Sequence, residues 1–388
     1  MLIYDGVSDI LHYVKKVARR SPGEVLREAA KRSRVALKLE RPLGRGRALS
    51  PYAVSFWVTR RCNLRCDMCW VEQSRELEGD GYLLSENELN LSELTGVVDD
   101  LARRWRPRIG ITGGEPFVRR DTLDFIRHVK NRGLRCGVNT NGTFLARDAE
   151  ELIEAGLDSI MVSVDGPPAV HDQQRRVPGT FVKTKEGIDA LLAARGRAGA
   201  GRPYVKLTCT VTNANVDALA DIPALFTDLP LDEFTFQHLW FTEAETARAQ
   251  RKLFTEIFGQ DTTYLEGFVS PEIPPVDVGR LRGAVEAVAR KSWPFPVNFY
   301  PALGPDELGP FYEDPRHAFR RSCFSRWLRV DVLPDGTVTP CLGLAVGNVR
   351  EKPINEIWNG PTFRRFRREL GRRGTFPGCE RCCGLFSD

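Results

Sequence analysis

The chain has 388 residues, 42% of them hydrophobic and 28% charged, which is enough to bury a large core and to form two domains. That balance fits neither a disordered nor a collagen-like polymer, and no apolar run approaches the roughly 18 residues needed to cross a bilayer. The net charge of +5 sits at the front: residues 1–50 hold twelve Lys/Arg against five Asp/Glu, leaving −2 for the other 338, so no basic catalytic surface and no nucleic-acid partner are expected.

Residues 8–20 place Ile10, Val14 and Val17 on one helical face, with Lys15, Lys16, Arg19 and Arg20 largely elsewhere. Ser21-Pro22-Gly23-Glu24 reads as a capping box that opens a second helix toward Lys38. Two readings stand for this segment: helices packed on the domain that follows, or a basic amphipathic face resting on an anionic membrane through residues 1–40. Met1 to Lys16 lacks the continuous apolar core of a secretory signal, so a cytoplasmic protein, peripheral at the membrane on the second reading, is expected.

From residue 52, short apolar strands alternate with helical patterns. The strands are expected at Tyr52–Val58, Arg108–Thr112, Leu134–Asn139, Ser159–Val164, Tyr204–Val211 and Glu233–His238, with helices near 86–105, 121–132, 148–156, 183–195 and 215–227. Such alternation favours a parallel sheet with crossover helices. Six units give an α/β fold of the partial (β/α)6 barrel type, because a full eight-unit barrel takes about 250 residues. Beyond 266 the texture changes: prolines crowd 270–275 and 293–315, as in an irregular connector, and Leu328–Val332, Asp335-Gly336 and Thr337–Thr339 then read as a β-hairpin. The expected organisation is a basic helical segment over 1–50, a barrel over 51–265, and a connector with a small metal-binding domain over 266–388.

Ten cysteines in a reducing compartment point to metal rather than disulfides, and eight of them fall into two groups. Cys62, Cys66 and Cys69 form CxxxCxxC after the first strand. Three thiolates can hold three irons of a [4Fe–4S] cluster and leave the fourth iron open, with zinc as the structural alternative. Thr112-Gly113-Gly114-Glu115-Pro116 ends the second strand; two glycines permit close backbone approach to a ligand, and a carboxylate can accept hydrogen bonds from an ammonium group. The second group is Cys323, Cys341, Cys379, Cys382 and Cys383. Cys136 and Cys209 alternate with apolar residues along strands and read as core. His238, ending the sixth strand, is a candidate for proton transfer, with a structural histidine as its alternative.

CxxxCxxC followed by GGEP, then Asn139-Thr140-Asn141-Gly142, Ser163-Val164-Asp165-Gly166, His171-Asp172-Gln173-Gln174-Arg175 and Pro178-Gly179-Thr180-Phe181, resembles the radical S-adenosylmethionine (SAM) superfamily in its SPASM/twitch branch. The resemblance implies a [4Fe–4S] cluster held by Cys62, Cys66 and Cys69 whose open iron binds SAM. Gly113, Gly114 and Glu115 would engage the methionine ammonium, and Ser163 and Arg175 the SAM carboxylate or ribose. Met68 stands where many members carry an aromatic residue near adenine, and methionine supplies apolar contact there. Cys323-x12-Gly336-x4-Cys341 with Cys379-x2-Cys382 resembles the ligand set of one auxiliary [4Fe–4S] cluster, with Cys383 as alternative or spare. The implied activity is reductive cleavage of SAM to a 5′-deoxyadenosyl radical that abstracts hydrogen from an unactivated carbon. An external flavodoxin- or ferredoxin-like donor would feed it electrons. A lipid or isoprenoid substrate suits the basic N-terminal helices; a peptide, a sugar or small metabolite, and a non-catalytic zinc-binding interaction protein are the alternatives.

Overall fold

The computed structural model describes residues 45–78, 87–319, 321, 323–341 and 343–386. The expected N-terminal helices and the membrane contact through residues 1–40 lie outside the described residues. No described helix is long and apolar enough to cross a membrane.

The chain runs β1 (Ala53–Trp57), α1 (Trp70–Glu78), α2 (Leu91–Arg104), β2 (Arg108–Thr112), α3 (Thr122–Asn131), β3 (Arg135–Thr140), α4 (Leu145–Glu154), β4 (Ser159–Ser163), α5 (Pro168–Arg175), α6 (Thr180–Arg197), β5 (Tyr204–Val211) and β6 (Glu233–His238). It continues through α7 (Ala244–Phe258), α8 (Val278–Arg290), β7 (Val297–Tyr300), α9 (Pro305–Glu313), β8 (Arg329–Val332), β9 (Thr337–Thr339), β10 (Gly347–Asn348), α10 (Ile354–Trp358) and α11 (Pro361–Arg373). One sheet holds all ten strands in the order β10-β9-β8-β1-β2-β3-β4-β5-β6-β7. Strands β1 to β7 pair in parallel, and β8 pairs in parallel with the outer side of β1, Ala53 facing Arg329 and Phe56 facing Val332. The architecture is the expected open α/β partial barrel. The residues beyond 266 extend it at both edges, through β7 on one side and β8 on the other, so the sheet does not stop where the connector begins.

Local sequence explains the elements. Asn90 and Glu93 close a capping box at the start of α2, whose Leu94, Val97, Val98 and Leu101 form the buried stripe. All six residues of β6 are buried, as a parallel strand covered on both faces requires. The predicted hairpin is present: β8 and β9 are antiparallel, Gly336 adopts φ +84°, and its N–H donates to Leu333 O at 2.9 Å. Two expectations are corrected. The helix expected near 215–227 is two short 3-10 turns, Val216–Ala218 and Pro223–Phe226. The segment expected to be irregular contains β7 and α9, because Pro305 occupies the first turn, where a missing N–H costs no hydrogen bond. Helices α5, α7 and α8 were not legible. Because β1 to β7 are parallel, their carboxyl ends share one rim, and the loops that follow Trp57, Thr112, Thr140, Ser163 and His238 meet there.

Candidate active site

The CxxxCxxC loop leaves β1 and is tied to two neighbouring strand ends and one helix end. Gly114 N–H donates to Thr59 O at 2.7 Å and Glu115 N–H to Arg61 O at 2.9 Å. A methyl group on Gly113 would meet Thr59 O at 2.2 Å, and one on Gly114 would meet Arg61 O at 2.2 Å. The glycine pair therefore admits the backbone that leads into the cysteine loop, which refines the expectation that it approaches a ligand. Asn141 Nδ2 donates to Asn63 Oδ1 at 2.9 Å, and Asp67 N–H donates to Gln174 O at 2.9 Å. The loop is thus braced by the ends of β2, β3 and α5. Protein around the loop pushes the thiols up by burial, Cys62 to about 12 and Cys66 to about 11, and the charges of the neighbouring cysteines add to the effect.

Glu115 is wholly buried. Its Oε1 accepts from Phe117 N–H at 3.1 Å and Thr140 Oγ1 at 2.9 Å, and its Oε2 from Asn141 N–H at 2.7 Å. Burial lifts its carboxyl to about 7 against these bonds. Its demonstrated work is to join the end of β2 to the end of β3. Arg175 is also buried: Nε donates to Asp165 Oδ2 at 2.7 Å, and the guanidinium charge opposes the burial that raises the Cys66 thiol. Asp165 in turn accepts from Thr210 N–H at 2.9 Å through Oδ1. Arg175 O also accepts from Arg65 N–H at 3.4 Å, so the residue links Asp165 to the cysteine loop. Ser163 is half-buried at the end of β4, in register with Thr208.

A cavity of about 240 Å³ opens beside this loop, and Met68, Cys69 and Gly113 line one end of it. Cys323, Cys341, Cys379, Cys382 and Cys383 line it too, so the structure brings Cys69 of the front group and the C-terminal group to one chamber. Between them stands an aromatic wall that sequence patterning did not reveal. Trp70 stacks on Phe268 at 5.4 Å and 17°, lies 4.7 Å from Tyr264, and meets Trp57 edge-on at 5.3 Å. Trp240 packs on Phe268 at 4.1 Å. Arg326 and Asp331 also line the cavity and were not singled out beforehand; their position in the sequence, three residues after Cys323 and inside the hairpin, was the available signal.

His238 lines the cavity. Burial drives it down to about 3, so it is neutral at physiological pH. Tyr312 OH lies 2.9 Å from its Nδ1, so the two buried groups share a hydrogen bond. Cys136 and Cys209 are buried in strands, as expected of core residues.

Between the C-terminal thiols stand a half-buried glutamate and a buried arginine. Arg381, between Cys379 and Cys382, donates to Phe311 O and Pro310 O at 2.8 Å and to Pro315 O at 3.1 Å. Glu380 accepts from Phe319 N–H and Thr375 Oγ1, each at 3.1 Å. Burial pushes Cys323, Cys341 and Cys379 up as free thiols, and Cys382 is raised by its hydrogen bond with Cys383 and then by burial. Such groups are poor thiolates until a metal supplies positive charge, and an all-sulfur set enclosed by apolar wall fits an iron–sulfur cluster.

Two family models match the chain: the radical SAM superfamily over residues 58–210 and an iron-sulfur cluster-binding SPASM domain over residues 323–383. The AdoMet-dependent heme synthase of Oleidesulfovibrio alaskensis is 29% identical over 343 residues, covering 84% of this chain and 79% of that protein. The pre-heme d1 synthase of Dinoroseobacter shibae is 24% identical over 80% of this chain and 74% of its own length. The Fe-coproporphyrin III synthase of Methanosarcina barkeri is 35% identical over 44% of this chain and 38% of its own. Among solved structures, Streptococcus suis SuiB superposes with a TM-score of 0.60 at 12% identity, covering 92% of this chain and 77% of SuiB.

Proposed function

Because this chain belongs to the radical SAM superfamily, with a SPASM iron–sulfur domain behind its barrel, we propose that its cavity takes a tetrapyrrole and loses a hydrogen atom from it to the 5′-deoxyadenosyl radical. The chain is an enzyme, and its cofactors are SAM, a [4Fe–4S] cluster and auxiliary iron–sulfur. When bound, the first cluster supplies the electron that splits SAM into methionine and the hydrogen-abstracting radical. Cys62, Cys66 and Cys69 would hold that cluster, with Gly113, Gly114 and Glu115 beside the SAM methionine group and Ser163 near its polar end. Cys323, Cys341, Cys379 and Cys382 would hold the auxiliary one, and a flavodoxin- or ferredoxin-like protein would deliver electrons.

The observation that carries the substrate reading is the aromatic wall between the two thiol groups. Indole, phenol and phenyl faces favour a flat conjugated ring over a saturated chain, and relatives spanning most of this chain are named for haem synthesis. The wall also keeps bulk water from a reactive radical, which is the protein's main contribution in chemistry of this kind. A lipid or isoprenoid substrate draws its support from residues 1–40 alone. The test is anaerobic addition of iron-coproporphyrin III to reconstituted enzyme. It should shift the visible absorption of the porphyrin and raise 5′-deoxyadenosine formation above the substrate-free level. No shift and no stimulation, with a polyprenyl lipid or a peptide stimulating instead, would reject the reading.

A further inference from the structure

Of the described residues that line the cavity, Arg326 is the sole cation and Asp331 the sole carboxylate. Arg326 sits in the 3-10 turn Ser325–Trp327, its side chain 9% exposed, three residues beyond Cys323. Its Nη1 donates to the carbonyl of Pro340, which immediately precedes Cys341, and stands 3.9 Å from Asp331 Oδ2. The backbone of the turn is fixed in its place: Arg367, itself wholly buried, donates from Nε to Arg326 O at 2.9 Å. The guanidinium itself is held by the Pro340 carbonyl and is buried beside Asp331. Burial raises the Asp331 carboxyl and the Cys323 and Cys341 thiols, and the charge of Arg326 opposes the rise at these groups and at Cys382.

We infer that Arg326, opposed by Asp331, sets the reduction potential of the auxiliary cluster. A cluster held by four thiolates gains negative charge when it takes an electron. A fixed cation enclosed with it in a low-dielectric chamber stabilises that reduced state, and an enclosed anion disfavours it. The pair acts through the thiolates and the field they share, so both are tuning residues and need not touch substrate. The inference rests on the assignment of Cys323, Cys341, Cys379 and Cys382 as ligands.

The experiment is an EPR-monitored redox titration of full-length protein carrying Cys62→Ala, Cys66→Ala and Cys69→Ala, reconstituted anaerobically so that the auxiliary cluster is observed alone. Arg326→Gln should make reduction at least tenfold less favourable, which is 59 mV for one electron. Asp331→Asn should shift the potential in the opposite direction, and Arg326→Lys should stay near the parent value. A merely structural role would lower iron content in both variants without opposite shifts. If Arg326→Gln fails to retain iron, Asp331→Asn decides alone, and an unchanged or lowered potential there overturns the inference. Absence of any iron–sulfur signal in the parent triple variant would instead overturn the ligand assignment, and the inference with it.

Discussion

Arg381 is the residue whose loss should be most informative about the C-terminal site. Replacing it by Met keeps the length and apolar stem of the side chain and removes every donor. The guanidinium, still protonated at neutral pH although burial lowers its pKa, gathers carbonyls from the end of α9 and the segment beyond it. The two bonds at 2.8 Å, to Phe311 O and Pro310 O, are charge-assisted and worth about 1.5–3 kcal/mol each, so roughly 3–6 kcal/mol is at stake before the longer bonds are counted. Against a typical total stability of about 5–15 kcal/mol, that is enough to release the segment bearing Cys379 and Cys382 locally. The expected outcome is a fall from about eight irons per chain to about four, since each cluster holds four. Limited proteolysis should cut first near residues 376–386, while SAM cleavage by the front cluster persists. An Arg381→Met protein with its full iron content and unchanged proteolysis would refute the reasoning.

Removing Cys62, Cys66 and Cys69 together should leave about four irons per chain and abolish 5′-deoxyadenosine, measured by chromatography. Gly113→Ala should cost the front site at least about tenfold in SAM cleavage, because φ is +144° and a Cβ would meet Thr59 O at 2.2 Å; Gly96→Ala, with open space around it, is the control that should not. His238→Phe should leave the pH profile of SAM cleavage unchanged between pH 6 and 9. With its folded pKa near 3 against about 6.5 unfolded, His238 binds a proton more readily in the unfolded chain, so native stability falls as pH drops through that window. His238→Phe should flatten this acid dependence in thermal melts, and an identical slope would count against the assignment.

The barrel strands were legible because each is a short apolar run between helical patterns, and all six expected strands begin within one residue of the observed ones or on them. The hairpin was legible from Asp335-Gly336 alone, since the turn needs a residue comfortable at positive φ. Helix α9 was hidden by Pro305 and Pro310, which read as breakers although the first occupies a tolerated position. The cysteine groups declared themselves by spacing, but their convergence on one chamber did not, because it depends on β8 lying against β1. The aromatic wall was hidden for the same reason. Trp57 ends a strand, Trp70 follows a cysteine, and Tyr264 and Phe268 sit in a 3-10 turn some 200 residues later, with no common period. Glu115 and Arg175 were found by motif, yet their bonds to Thr140, Asn141 and Asp165 follow from packing at the rim, which a motif does not encode.

The parallel ladder between β1 and β8 bears on how this protein can be cut apart. In the whole chain β1 is an interior strand, paired with β2 on one side and β8 on the other. A fragment ending before residue 323 would turn that interior strand into a border, with its peptide groups along one side unpaired and Val54 and Phe56 beside them. Such a border is an invitation to add strands from neighbouring molecules. The front half of this enzyme should therefore be produced together with its C-terminal hairpin, and attempts to isolate it should yield aggregates in place of a smaller working barrel.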